Sequence, residues 1–304
     1  MGAKFSFLRI VLKNGVRKTT FKFKKVLPMQ TQENLLKQWL FLYSLAVEGA
    51  TGAFLAIFIY VYNKIEWANS TTRLLDKYYL SLLILAGLIT LILAPLYIFS
   101  NWIKDEALPA WYGAVKKNAR WLMGFTLILY LLFLLHKNGI HFKAIELILA
   151  LVIVYIFYSF QNALVVEGYP AWQNVATTLN LLLGVGKISL VSWIVIFHVY
   201  DLQVWITLFL LFELFVLFWR MKMLNRMRPE TKQTVRFLLI QHSLLFGSRL
   251  IIGLFIPLMF TAYQWFVGGK VTGAIMLFVL FGEFLERLLF VFSAIPHYYD
   301  YEPE

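Results

Sequence analysis

The sequence has no cysteine among its 304 residues. Disulfides, cysteine-ligated iron–sulfur clusters, cysteine-zinc sites and catalysis by a thiol are therefore excluded for this chain. Charged residues are also scarce, because Asp, Glu, Lys and Arg together make up only 14% of the sequence. An ordinary soluble domain has about 25%. A charge content this low is not typical of a soluble domain.

The sequence is instead rich in apolar residues. Hydrophobic residues make up 61% of the chain, and its mean hydropathy is +0.72. A transmembrane helix needs roughly 20 mainly apolar residues to cross about 30 Å of hydrocarbon. Eight stretches meet or approach this length: 38–63, 78–103, 121–136, 144–165, 178–199, 205–219, 238–262 and 272–296. The sequence therefore predicts an all-α polytopic membrane protein with eight transmembrane helices in a bundle.

The predicted spans divide the chain into three parts. A basic extension covers 1–37, the eight-helix transmembrane domain covers 38–296, and a short tail covers 297–304. The net charge is +12, and most Lys and Arg residues outside the spans fall in the extension and in the 2–3 and 6–7 loops. Cytoplasmic loops of membrane proteins carry an excess of Lys and Arg, so we expect both termini on the cytoplasmic side of the cell membrane.

The basic extension contains a hairpin signal. Two strand-like runs, Phe5 to Lys13 and Val16 to Lys25, flank Asn14-Gly15. Asn-Gly tolerates the positive φ angles of a type I′ turn, so this pattern indicates a short β-hairpin. Two interpretations stay open. The extension is either a docking element for a soluble partner, or a tail that binds anionic lipid or is partly disordered.

Several charged residues fall inside the predicted spans: Glu48, Lys187, Glu213, Arg249, Glu283, Glu286 and Arg287. A charge at mid-membrane costs at least a few kcal/mol, so such residues are usually paired or functional. Glu283 and Arg287 are four residues apart, which places them on one helical face as a pair. Lys187 and Glu213 flank the tight 5–6 turn at similar depth, and Glu48 has no evident partner. These groups either hold helices together or take part in quinone or proton handling.

The five histidines do not form the pattern of a membrane cytochrome b, which needs axial ligands on facing helices at matching depth. His136 and His198 fall at the ends of spans, and His242 falls near the other membrane face. We therefore expect no haem.

Two loops on the basic side are rich in aromatic and polar residues. The 2–3 loop carries Trp102, Asp105, Glu106, Trp111 and Tyr112, and the 4–5 loop carries Pro170 and Trp172. Trp and Tyr are enriched at the interfaces of membrane proteins in general, so these rings can form an ordinary aromatic belt. Alternatively, they form the rim of a pocket for a flat amphipathic ring such as a quinone head group.

Four motifs occur in a fixed order along the spans. They are the small-residue run Glu48–Phe54, Pro170-Ala171-Trp172, Ser248-Arg249, and Gly282-Glu283 with Arg287. In this order they resemble the membrane-anchor subunit of dimethyl sulfoxide reductase-type molybdoenzymes, the DmsC family of quinol-reactive anchors. The resemblance covers about 38–296.

The resemblance implies a haem-free and metal-free anchor without substrate chemistry of its own. Such an anchor holds a four-cluster ferredoxin-like iron–sulfur subunit, which is attached to a molybdopterin catalytic subunit. It binds menaquinol or another quinone near the 2–3 and 4–5 loops and passes electrons to the nearest cluster. The implied partners are therefore these two subunits and membrane lipid, with no nucleic acid.

The candidate quinone-binding residues combine the motifs with the aromatic loops and the buried charges. They are Glu48, Trp102, Asp105, Glu106, Trp111, Tyr112, Pro170, Trp172, Arg249, Glu283 and Arg287. Where the family has a histidine and a glutamate linked to quinol binding, this chain has 101–103 and 124–125, without either residue. Asp105, Glu106 or Glu48 is then the candidate proton acceptor.

Two other functions fit the sequence. The first is a secondary transporter or permease in which the intramembrane charges form a solute or proton path, although no inverted repeat is evident. The second is a structural anchor without a quinone site.

Overall fold

The computed structural model describes residues 29–65, 72–100, 110–140, 143–164, 172, 175–226 and 229–292. Within these ranges the chain is helical and contains no strand. The predicted hairpin and the tail 297–304 lie outside the described residues. The helices are α1 Met29–Ile65, α2 Thr72–Ser100, α3 Ala110–Lys137, α4 Lys143–Leu164, α5 Val175–Phe197, α6 Gln203–Arg226, α7 Pro229–Arg236, α8 Ser243–Leu250, α9 Ile256–Val267 and α10 Gly273–Phe292.

Seven helical segments are long and apolar enough to cross a membrane: Leu35–Tyr62, Leu74–Pro95, Trp111–Lys137, Ala144–Leu164, Val175–Phe197, Gln203–Arg226 and Ser243–Val267. A multi-pass helical membrane protein is thereby confirmed, but with seven such segments rather than eight. The stretch predicted as the eighth span, 272–296, contains the 20-residue helix α10, which is not one of these seven segments. It differs from the seven because it carries Glu283, Glu286 and Arg287.

Helix α1 begins earlier than predicted and forms the centre of the bundle. It starts at Met29 rather than at 38, because the polar residues before the apolar stretch include good helix formers such as Gln, Glu and Lys. In its most apolar part 61% of the residues are buried, against 33–50% in the other six spans. Helices α2, α3, α4, α5 and α10 pack against α1, whereas α6, α8 and α9 lie further out.

Helices α1 and α5 cross closely at Gly52. A Cβ atom there would lie 2.7 Å from the carbonyl oxygen of Val185, so only glycine fits. Two side chains of α5 donate hydrogen bonds to backbone carbonyls of α1: Ser189 Oγ to Gly52 at 2.8 Å and Trp193 Nε1 to Ala56 at 2.7 Å. The crossing fixes the depth of α5 relative to α1.

The seventh spanning segment contains one π-helical turn and is preceded by another. The segments Phe237–Gln241 and Ile251–Phe255 are π-helical and flank α8. Pro257 follows the second of them at the start of α9. Proline lacks an N–H and its ring clashes with the carbonyl four residues earlier, here that of Gly253. A π-helical turn at this place widens the helix and accommodates the proline.

The second π-helical segment also packs tightly against α10 through two glycines. A Cβ atom at Gly282 would lie 2.6 Å from the carbonyl oxygen of Gly253. Close approach of backbones through small residues is a common way to join transmembrane helices. The contact places Arg249, one helical turn before Gly253, beside the charged residues of α10.

We expect Gly282→Ala to lower the melting midpoint of the purified protein in detergent. The added methyl group overpacks the contact with Gly253, which costs about 1–3 kcal/mol. Gly247→Ala is the matched control, because its Cβ would meet no atom within 4 Å and alanine favours a helix. A Gly282→Ala protein that melts at or above the control would contradict this reading of the contact.

Candidate functional site

Eight ionisable side chains meet inside the bundle. They come from α1, α5, α6, α8 and α10, and each is at most 4% exposed. They are Glu48, Lys187, Glu213, Arg220, Arg249, Glu283, Glu286 and Arg287, called here the ionic network. Four are carboxylates and four are cations, so the network has no net charge when all are ionised.

One half of the ionic network joins α1, α5 and α10. Arg287 Nε lies 2.6 Å from Glu48 Oε2, and Arg287 Nη2 lies 2.7 Å from Glu283 Oε1. The second oxygen of Glu283 lies 2.5 Å from Lys187 Nζ. The first helix is therefore tied to the last through Arg287, and the last helix to α5 through Glu283.

The other half extends the alternation of charges through α6 and α8. Lys187 Nζ donates to Glu213 Oε1 at 2.7 Å, and Arg249 Nη2 donates to the same oxygen. Arg249 Nε in turn donates to Glu286 Oε2 at 3.3 Å. Glu286 Oε1 accepts from Arg220 Nη1 at 3.0 Å. The ionic network is thus a chain of ion pairs, with Glu48 at one end and Arg220 at the other.

Asn180 and Gly184 of α5 complete this arrangement. The Asn180 amide donates to Glu286 Oε1 at 2.5 Å, and its backbone carbonyl accepts from Arg287 Nη2 at 3.3 Å. A Cβ at Gly184 would lie 2.7 Å from Glu48 Oε1 and 2.8 Å from Glu283 Oε1. The glycine therefore leaves the space that the carboxylates of two other helices occupy.

The structure confirms both pairs that the sequence predicts, Lys187 with Glu213 and Glu283 with Arg287. It also provides the partner that Glu48 lacks in sequence, since Arg287 reaches it from the last helix. Arg249 contacts Glu286 and Glu213. The predicted charged cluster is therefore real and is larger than expected.

Arg220 is the member that sequence reasoning missed. The predicted sixth span ended at 219, which left Arg220 among the basic residues of the next loop. Helix α6 continues to Arg226, and Arg220 is buried within it. The spacing in the sequence did indicate its position. Arg220 follows Glu213 by seven residues, or about two helical turns, which places both side chains on the same face of α6.

A cluster of buried aromatic rings adjoins the ionic network. Its members are Trp39, Tyr43, Trp111, Tyr112, Trp172 and Phe290, called here the aromatic cluster; successive ring centroids lie 5.4–6.3 Å apart. Trp111, Tyr112 and Trp172 are only 1–2% exposed. Trp111 and Tyr112 lie in the first turn of α3 rather than in the predicted 2–3 loop, and all three side chains lie in the protein core and not in a lipid-facing belt.

Phe290 connects the aromatic cluster to the ionic network. The Trp172 ring stacks on it at 5.5 Å, and Trp172 Nε1 donates to its carbonyl oxygen at 3.3 Å. The guanidinium carbons of Arg220 and Arg287 lie 5.8 Å and 5.9 Å from the Phe290 ring centroid, within the range of cation–π contact. Rings and charges form one continuous buried unit.

The candidate quinone-binding residues fall into three groups. Glu48, Arg249, Glu283 and Arg287 belong to the ionic network. Trp111, Tyr112 and Trp172 belong to the aromatic cluster. The remaining four, Trp102, Asp105, Glu106 and Pro170, lie outside the described residues. Within the described ranges, no three His, Asp or Glu side chains are grouped so that they could hold a metal ion.

No family model, curated protein or solved structure matches the chain. The geometry of the ionic network and of the aromatic cluster therefore has to support any functional proposal.

We expect Arg287→Met to destabilise the protein strongly, because it leaves Glu48 without its counter-charge. Breaking a buried ion pair by removing one partner costs about 3–5 kcal/mol. The double variant Glu48→Gln with Arg287→Met should regain part of this loss, since it removes one charge of each sign. Melting midpoints in detergent measure both effects.

Arg226→Met is the control for this pair of variants, because Arg226 is exposed at the end of α6. It should melt as the unmodified protein does. A double variant that is no more stable than Arg287→Met alone would show that charge balance does not govern the stability of this site.

Proposed function

We propose that the chain is the membrane-anchor and quinone-reactive subunit of a molybdopterin and iron–sulfur oxidoreductase of the DmsC type. It exchanges electrons between menaquinol, or another membrane quinol, and an iron–sulfur partner subunit. One observation supports this most directly. The four motifs on which the resemblance rests are far apart in sequence, yet Glu48, Trp172, Arg249, Glu283 and Arg287 all belong to the same buried unit.

The chemistry of this unit suits a quinone. Sites for such ligands are mostly apolar and aromatic, with a few placed polar groups that fix orientation. A quinol that is oxidised releases two electrons and two protons. Carboxylates in the ionic network are acceptors for the protons. The electrons pass to iron–sulfur clusters in the partner subunit, because this chain has no cysteine to ligate a cluster of its own.

The same proposal includes the topology. Helix α10 is the eighth span, because its Arg287 meets Glu48, which lies near the middle of the spanning part of α1. An even number of spans leaves both termini on one side, and the excess of Lys and Arg makes that side cytoplasmic. The iron–sulfur subunit then docks on the side where the 2–3 and 4–5 loops lie.

A secondary transporter is the alternative function for these charges. A transported solute has to find unpaired groups or to displace existing partners. In the ionic network every charged side chain already has an oppositely charged neighbour within 3.3 Å. This closed pairing favours the quinone-reactive anchor.

Purification from native membranes under mild detergent tests the proposal. The tagged chain should copurify with stoichiometric non-haem iron, molybdenum and extractable quinone, and the complex should reduce its clusters on addition of menaquinol. Cells that carry the tag alone are the control. A chain that purifies without iron, molybdenum and quinone, and that mediates solute uptake in liposomes, would establish the transporter instead.

A further inference from the structure

A small recess adjoins the Arg220 end of the ionic network, between α6, α8, α10 and the first π-helical segment. Arg220 and Glu286 are its polar lining residues. The rest of its wall is apolar and is formed by Leu217, Met221, Leu238, Phe246 and Leu289. The volume of this cavity is about 10 Å³. That is about the smallest volume that accommodates one water molecule. The recess therefore admits a single water and excludes any organic ligand.

Arg220 has fewer partners than the other three cations of the ionic network. Lys187, Arg249 and Arg287 each contact two carboxylates, whereas Arg220 contacts only Glu286 among the described residues. The Nη1 atom of Arg220 makes that contact. Its Nε and Nη2 atoms are buried and have no acceptor in the described part of the chain. A buried guanidinium group normally satisfies its N–H donors, so these two atoms indicate an acceptor that the protein itself does not supply.

The geometry of the guanidinium group suits one small acceptor. Nε and Nη2 lie along the same edge of this planar group, and the N–H bonds of that edge point in one direction. A single oxygen atom can therefore accept a hydrogen bond from both. Buried waters typically make about three hydrogen bonds to groups that would otherwise be unsatisfied. The carboxylate of Glu286, in the wall of the same recess, is an acceptor for the third.

Charge balance favours water over a small anion. A chloride ion is similar to water in size and also accepts hydrogen bonds from arginine. However, the ionic network already holds four carboxylates and four cations. Chloride would add an uncompensated negative charge to a buried and neutral site, which is strongly unfavourable. A neutral water molecule accepts the same hydrogen bonds without that penalty.

We propose that the recess binds one water molecule, which accepts hydrogen bonds from Nε and Nη2 of Arg220 and donates one to the carboxylate of Glu286. This water takes the place that a second carboxylate has at Lys187, Arg249 and Arg287. A fifth carboxylate would leave the ionic network with a net negative charge. The water completes the hydrogen bonding of Arg220 and keeps the charges balanced.

The recess lies near one end of the helices that form it. Arg220 is six residues from the end of α6, which corresponds to about 9 Å of helix. Leu289 is three residues from the end of α10, or about 5 Å. Water from the aqueous phase therefore has only a short distance to travel to the site.

A crystal structure of the full chain, at a resolution that shows ordered water, tests the inference. We expect one peak in the recess, within about 2.7–3.2 Å of Nε and Nη2 of Arg220. The crystals are grown in sodium bromide, because the anomalous signal of bromide distinguishes a halide from water. A recess without a peak, in a map that shows other buried waters, would overturn the proposal. An anomalous peak in the recess would also overturn it and assign the site to an anion.

The variant Leu217→Phe tests whether Arg220 depends on this water. The larger ring fills the recess and leaves every ion pair in place. We expect the peak to be lost and the melting midpoint in detergent to fall by about 2–4 °C, because two donors lose their acceptor. Leu211→Phe is the matched control, since Leu211 lies on the same helix and is 47% exposed. A Leu217→Phe protein that melts with this control would contradict the proposal. No quinone or partner subunit enters these measurements, so the proposed function is tested separately.

Discussion

A charge buried in hydrocarbon has to meet a counter-charge, and this requirement organises the whole molecule. The ionic network takes its members from five helices that are widely separated in sequence. In a membrane the hydrophobic effect does not drive helices together, so packing and polar contacts decide which helices are neighbours. The ion pairs therefore help to specify the arrangement of the bundle. Gly52 and Gly282 let backbones approach closely, and Gly184 leaves room for the carboxylates of Glu48 and Glu283.

Hydropathy and spacing predicted most of the helices. They did not predict where each helix ends or which helices distant in sequence are in contact. Seven spans follow from apolar length alone, and the Glu283–Arg287 pair follows from helical periodicity. The contact of Glu48 with Arg287 could not be predicted, because nothing local relates the first helix to the last. Arg220 was placed in a loop because a charge ends an apolar window even where the helix continues. Apolar length alone does not identify α10 as a span, because it carries three charged residues, and most of their partners lie on other helices.

The aromatic residues show the limit of a statistical rule. Trp and Tyr near the ends of spans are often found at the lipid interface, and Trp111, Tyr112 and Trp172 have that position in sequence. Their neighbours are other rings, and Trp172 stacks on Phe290 in the last helix. Position along a helix gives the depth of a residue but not the direction in which it points. The side that faces the bundle is decided by partners that the local sequence does not contain.

The link between Glu48 and Arg287 has a consequence for biogenesis. The ribosome makes the carboxylate about 240 residues before its guanidinium partner, which at about 5–20 residues per second is a delay of roughly 12–48 s. During that interval the N-terminal helix is in the translocon or the bilayer with its acid uncompensated. Glu48 can therefore be neutralised by this partner only after Arg287 has been synthesised, so α1 completes its ion pairing late in biogenesis.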